Sequence, residues 1–93
     1  MFQNLYFLYY SIVVNDARMV QAYVLFNVDA GTEDQVRKEL KNVAAVQQVY
    51  VSYGVFDLII KITVESLEQL KEVVTYRLRT IQNVRSTLTL ILS

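Results

Sequence analysis

Chemistry in this chain rests on a short list of side chains. There is no histidine and no cysteine, so zinc ligation, imidazole acid–base catalysis and thiolate nucleophiles are excluded together. Carboxylates, hydroxyls, amides and the backbone remain. They converge most clearly at Tyr53-Gly54-Val55-Phe56-Asp57, a turn with a lone carboxylate that opens into the apolar run Leu58–Val64. A carboxylate at the mouth of such a strand loses hydration unless a partner replaces the water. Two partners fit: a ligand ammonium group, or backbone N–H groups of its own turn that the side chain caps. The backbone N–H groups of Gly54, Val55 and Phe56 suit a ligand carboxylate, and Gly54 is expected to supply a positive φ to the turn. Tyr53 either walls the site or packs in an interface. Thr87 and Thr89 either present hydroxyls to the same pocket or pack across strands.

The other carboxylates point away from catalysis. Glu33 and Asp34 lie at one expected helix start, Glu65 and Glu68 at another, where the helix dipole explains them. No two share an apolar pocket with an acid–base partner, so the chain is not expected to be an enzyme. No cofactor or metal is implied.

The elements that position these residues follow from periodicity. Val20, Ala22, Val24, Phe26 and Val28 alternate with Gln21, Tyr23, Leu25 and Asn27, a strand with two largely apolar faces. Thr32 with Gln35 reads as a capping box opening a helix over Glu33–Asn42, its apolar stripe Val36, Leu40 and Val43. Val46–Tyr53 and Phe56–Val64 read as two strands of a hairpin. Ser66 with Gln69 repeats the capping box, opening a helix over Leu67–Leu78. Val84–Leu92 is the last strand, with Val84, Leu88, Leu90 and Leu92 against Arg85, Thr87, Thr89 and Ile91.

The order βαββαβ is the ferredoxin-like α+β layout, a four-stranded antiparallel sheet with both helices on one face. Tyr23, Leu25, Tyr50, Ile59, Ile91 or their alternates then line the bare face. Of 93 residues, 54% are hydrophobic and 19% charged, more apolar surface than so small a core hides. The sheet is therefore expected to pack on a second sheet in a homodimer. Nine basic residues balance nine acidic ones, which argues against direct nucleic-acid binding.

Residues 1–18 are rich in aromatic and β-branched types, among them Phe2, Tyr6, Phe7, Tyr9 and Tyr10. The run lacks a basic n-region and is too short to span a bilayer, so neither a signal peptide nor a membrane anchor is expected. It reads as an extra N-terminal strand or arm ahead of a domain at 19–93. The lack of cysteine fits a reducing, cytoplasmic compartment.

The segment from Met19 to Ser93 resembles the effector-binding (RAM) domain of Lrp/AsnC-type transcription regulators. The matching features are Val20-Gln21-Ala22-Tyr23-Val24, Gly31-Thr32-Glu33, Val46 through Val51, Gly54-Val55-Phe56-Asp57 with its strand, and Val84–Leu92 with Thr87-Leu88-Thr89. Members normally carry an N-terminal helix-turn-helix. Here an aromatic stretch stands in that place, so the resemblance points to the stand-alone form. It implies dimers paired through their sheets, assembly into octamer-like rings, and small effectors, typically amino acids, bound between dimers near the Gly-x-x-Asp turn. Full-length Lrp/AsnC regulators are the implied protein partners. A dimeric α+β barrel enzyme and an ACT-type amino-acid-binding domain share the layout. The first normally places a histidine in its cleft, which this chain lacks; the second would bind at Asp29-Ala30-Gly31.

Overall fold

A computed structural model describes residues 19–92; the N-terminal arm expected at residues 1–18 lies outside them. The elements are β1 (Val20–Val28), α1 (Glu33–Lys41), β2 (Val46–Val51), β3 (Leu58–Val64), α2 (Leu67–Val73, continued by a π turn over Val74–Leu78) and β4 (Val84–Leu92). The four strands form one antiparallel sheet in the order β2-β3-β1-β4. This is the ferredoxin-like α+β fold.

One sheet face is buried under the helices. Val24 and Phe26 of β1, Leu58, Ile60 and Ile62 of β3, Val36 and Leu40 of α1 and Leu78 of the π turn are fully buried. Each such side chain contributes roughly 1.5–3 kcal/mol of transfer free energy.

The two helix starts behave differently. At α2 the Gln69 N–H donates to Ser66 Oγ at 3.0 Å. The Gln69 side chain accepts from the Glu65 N–H at 2.6 Å, so that box closes one residue early. At α1 no side chain caps the helix. The Thr32 hydroxyl donates instead to the Asp29 carbonyl at 2.6 Å, and Gln35 Oε1 accepts from Asn83 Nδ2 at 3.2 Å. The tight Asp29–Thr32 turn and the tie to β4 take the groups that the box requires.

The second helix is not α throughout. The Arg79 N–H reaches back to the Val74 carbonyl at 2.9 Å, a π turn. Residues four apart drift by about 40° per step around an α-helix. The wider turn offsets that drift and keeps Leu78 buried in line with Leu70.

The last strand departs from simple alternation. Asn27 pairs with Ser86 but Val28 pairs with Val84, so Arg85 is the extra residue of a β-bulge. A bulge inverts side-chain parity. Ile91 therefore stands beside Ala22 on the helix side, not on the bare face, and Leu88 and Leu90 take the bare face beside Leu25 and Tyr23. One row across that face reads Tyr50, Ile59, Leu25, Leu88. The next reads Gln48, Lys61, Tyr23, Leu90. Leu88 and Leu90 keep 45% and 47% of their surface exposed.

Phe26 sits at the centre of the core, so Phe26→Ala should cost about 3–5 kcal/mol in urea-induced unfolding with an unchanged m-value. A loss under 1 kcal/mol would contradict this packing.

Candidate functional site

The β1 C-terminus, the starts of β3, β4 and α1, and the end of β2 all meet at one end of the sheet. The candidate turn lies there. Residues 52–57 form an open loop, closed at its base by the Ser52 N–H donating to the Asp57 carbonyl at 2.8 Å. At its tip Tyr53 is 97% and Val55 84% exposed.

Asp57 is half-buried and tied by its backbone and side chain together. Its N–H donates to the Phe26 carbonyl at 2.8 Å. Its Oδ2 accepts from the Val28 N–H at 2.9 Å. The β1–β3 ladder ends at the Phe26–Leu58 pair, so the carboxylate supplies the acceptor that the next residue of a strand would have offered. Asp57 thus caps the neighbouring strand and not its own turn. One N–H takes a fraction of a carboxylate's four lone-pair sites, so the group retains capacity toward a ligand.

Gly54 does not have the expected positive φ. The left-handed backbone occurs at Gly31 (φ 83°) and Asn83 (φ 76°). A loop that spans 52–57 turns gradually, and no single residue has to reverse the chain. Asn83 tolerates its conformation as Asn does, and its carbonyl accepts the Asp29 N–H at 2.9 Å.

Two grooves flank Asp57. One runs beneath the loop, with Gly31, Glu33, Ser52, Tyr53 and Gly54 in its lining. The other lies toward β4, with Asn27, Ala30, Glu33, Arg85 and Ser86. Asp57 lines both. Thr87 and Thr89 do not join either groove. They line a third, beside Val74 and Arg79 of the second helix. The candidate residues therefore divide into Tyr53–Asp57 at the sheet end and Thr87–Thr89 on the inner face of β4. The Asp29-Ala30-Gly31 turn shares the sheet end with the Asp57 loop, so the two alternative ligand positions are neighbours.

Asn27 and Arg85 line the site and escaped sequence reasoning, and Glu33, which the sequence explains as a helix-start carboxylate, lines it too. Their signal was topological: the βαββαβ order alone brings the end of the first strand and the start of the last one beside the hairpin loop. Among the described residues, no group of three or more His, Cys, Asp and Glu is placed to hold a metal ion. No helix of the described residues is long and apolar enough to cross a membrane.

The loops of this ferredoxin-like sheet gather polar groups around two shallow grooves. The chain belongs to the Lrp/AsnC ligand-binding domain family, whose family model matches residues 21–93. No curated protein sequence matches it significantly. Among solved structures it is similar to FFRP-DM1, at 32% identity and a TM-score of 0.77, over 80% of this chain and 99% of that one. It is also similar to the hypothetical protein PHS023 of Pyrococcus horikoshii, at 32% identity and a TM-score of 0.75, over 80% of this chain and 89% of that one. The regulator NMB0573 of Neisseria meningitidis shares the fold, with 10% identity and a TM-score of 0.72, over 80% of this chain and 49% of that one.

Asp57→Ala should cost about 1–3 kcal/mol, because it strands the part-buried Val28 N–H. Asp57→Asn keeps a carbonyl acceptor and should cost less. Hydrogen exchange at the Val28 amide, faster in the alanine variant only, checks the assignment. In the same unfolding assay Gly31→Ala should cost about 1–2 kcal/mol, and Gly54→Ala, with nothing within 4 Å of the added Cβ, less than about 0.5 kcal/mol.

Proposed function

We propose that this protein is a stand-alone effector-binding and assembly module that takes a small molecule, an amino acid, at the Asp57 end of its sheet. The observation that carries the reading is the fixed, half-buried Asp57 carboxylate beside two polar grooves, in a domain of a ligand-binding family. The carboxylate receives the ligand's ammonium group, and the backbone N–H groups of Gly54, Val55 and Phe56 receive its carboxylate. Tyr53, almost wholly exposed at the loop tip, closes over the ligand or against a neighbouring dimer. NMB0573, which shares the fold, was solved as an L-Met complex, and this supports an amino acid as the ligand class.

In this reading two copies pair through the bare sheet face. The row Tyr50, Ile59, Leu25, Leu88 is a contiguous apolar strip across all four strands, and such strips mark protein contacts. Dimers assemble further into an octamer-like ring, with effectors between them. The module acts in the cytoplasm and tunes full-length Lrp/AsnC regulators by co-assembling through the same face. FFRP-DM1, matched over 99% of its length, supports a domain that stands alone.

Two measurements test this. The twenty L-amino acids are screened by thermal shift, with solution mass by light scattering in parallel. A ligand at ten times its Kd stabilises by about 1.4 kcal/mol, a Tm rise of roughly 5–10 °C in a domain of this size. No response to any amino acid at millimolar concentration removes the sensing role. Leu25→Glu with Leu88→Glu should reduce the assembly to a folded monomer; an unchanged mass would place the interface elsewhere.

A further inference from the structure

The Thr87–Thr89 pair floors a groove of its own. The inner sheet face is aliphatic or aromatic on the central strands, with Val24 and Phe26 on β1 and Leu58, Ile60 and Ile62 on β3. On β4 two of the inner positions, between Val84 and Ile91, are hydroxylic. Thr87 stands beside Phe26 and Thr89 beside Val24, and both are half-buried. Threonine at these positions leaves polar groups facing a space that the helices do not fill.

Two arginines border that space. Arg79 follows the π turn, held there by its N–H bond to the Val74 carbonyl, and π turns are rare and often sit at functional sites. Arg85 is the bulged residue of β4, and bulges re-aim side chains. Both line an open groove of about 520 Å³ together with Thr87 and Thr89, and no carboxylate is part of the lining. In a chain of zero net charge this is a local basic excess. Arg85 is held only by an exposed ion pair: its Nε lies 3.9 Å from Asp29 Oδ1, with the two side chains 68% and 53% exposed. Contacts of that kind are weak, and the guanidinium fork keeps donors to spare.

We propose that this groove is an oxyanion site, in which Arg79 and Arg85 hold a phosphate or carboxylate group over the hydroxyls of Thr87 and Thr89. Forked, charge-assisted donors match such oxygens, and the hydroxyls supply further donors. The groove shares Arg85 and Ser86 with the Asp57 groove on the β4 side, but its oxyanion chemistry does not depend on the effector reading.

The test is an amide-shift titration of the full chain by NMR with sodium phosphate, sodium acetate and sodium chloride at matched ionic strength. Saturable shifts at Arg79 and residues 84–89, with phosphate or acetate and beyond those of chloride, are expected. The arm that saturates at lower concentration identifies the oxyanion. Arg79→Gln and Arg85→Gln should each weaken that binding about tenfold. Thr87→Val with Thr89→Val keeps the β-branched shape of the strand and should weaken it further without unfolding the sheet. Linear shifts, shifts equal to those of chloride, or unchanged affinity in both arginine variants would overturn the proposal.

Discussion

A single residue closes the sheet where two of the grooves open. The hydrogen-bonded ladder between β1 and β3 ends at Phe26 and Leu58. Asp57 continues it with mixed means, its N–H to the Phe26 carbonyl and its carboxylate to the Val28 N–H, while its own carbonyl holds the base of the hairpin loop. A side chain that replaces a strand's backbone is oriented as rigidly as the strand. This is how a domain with a small core fixes a carboxylate at its rim. Under the effector reading it also ties structure and binding to the same side chain, so that removing the carboxylate loosens the strand end along with the ligand.

The second constraint is the bulge at Arg85. Without it, the alternation in Val84–Leu92 would put Val84 on the same face as Leu88 and Leu90. With it, Val84 faces the helices beside Val28, and Leu88 and Leu90 fall on the bare face with Leu25 and Tyr23. The bulge therefore assembles the apolar strip and frees Thr87 and Thr89 for the inner side in one step. A strand parity that looks like a local detail decides which side chains of β4 face the helices and which lie on the bare face.

These details explain what was legible in the sequence. Alternation along Val20–Val28 and helical spacing in Val36, Leu40 and Val43 report burial directly, and the βαββαβ order follows from them. A bulge leaves no such trace, because Arg85-Ser86 is compatible with either parity; simple alternation points Ile91 to the bare face, and its alternates Leu88 and Leu90 occupy it instead. The Thr32–Gln35 pair satisfies a capping pattern, yet a carbonyl at Asp29 and an amide at Asn83 compete for the same groups and win. The glycine of the hairpin suggested a sharp reversal, whereas the wide loop over 52–57 spreads the bend. Sequence spacing located Asp57, but its partner, Val28, is 29 residues away, and only the sheet order brings the two together.

The distribution of apolar surface connects the two ends of the argument. Helices cover only one face of the sheet, and the other face carries the apolar row Tyr50, Ile59, Leu25 and Leu88, a surface of the kind that marks protein contacts. The most exposed apolar side chains outside that face are Tyr53 and Val55, at the tip of the loop whose base Asp57 fixes. A rigid base with an exposed apolar tip suits a contact that forms over a ligand, because the base holds the recognition groups still and the tip gains by being covered. Under the effector reading, ligand binding and assembly then draw on the same loop. Occupancy of the groove changes the surface that a neighbouring dimer meets, and a neighbouring dimer changes how well the groove is shielded from water. Coupling of that kind is reciprocal, so the effector strengthens the assembly by the same free energy with which assembly strengthens effector binding.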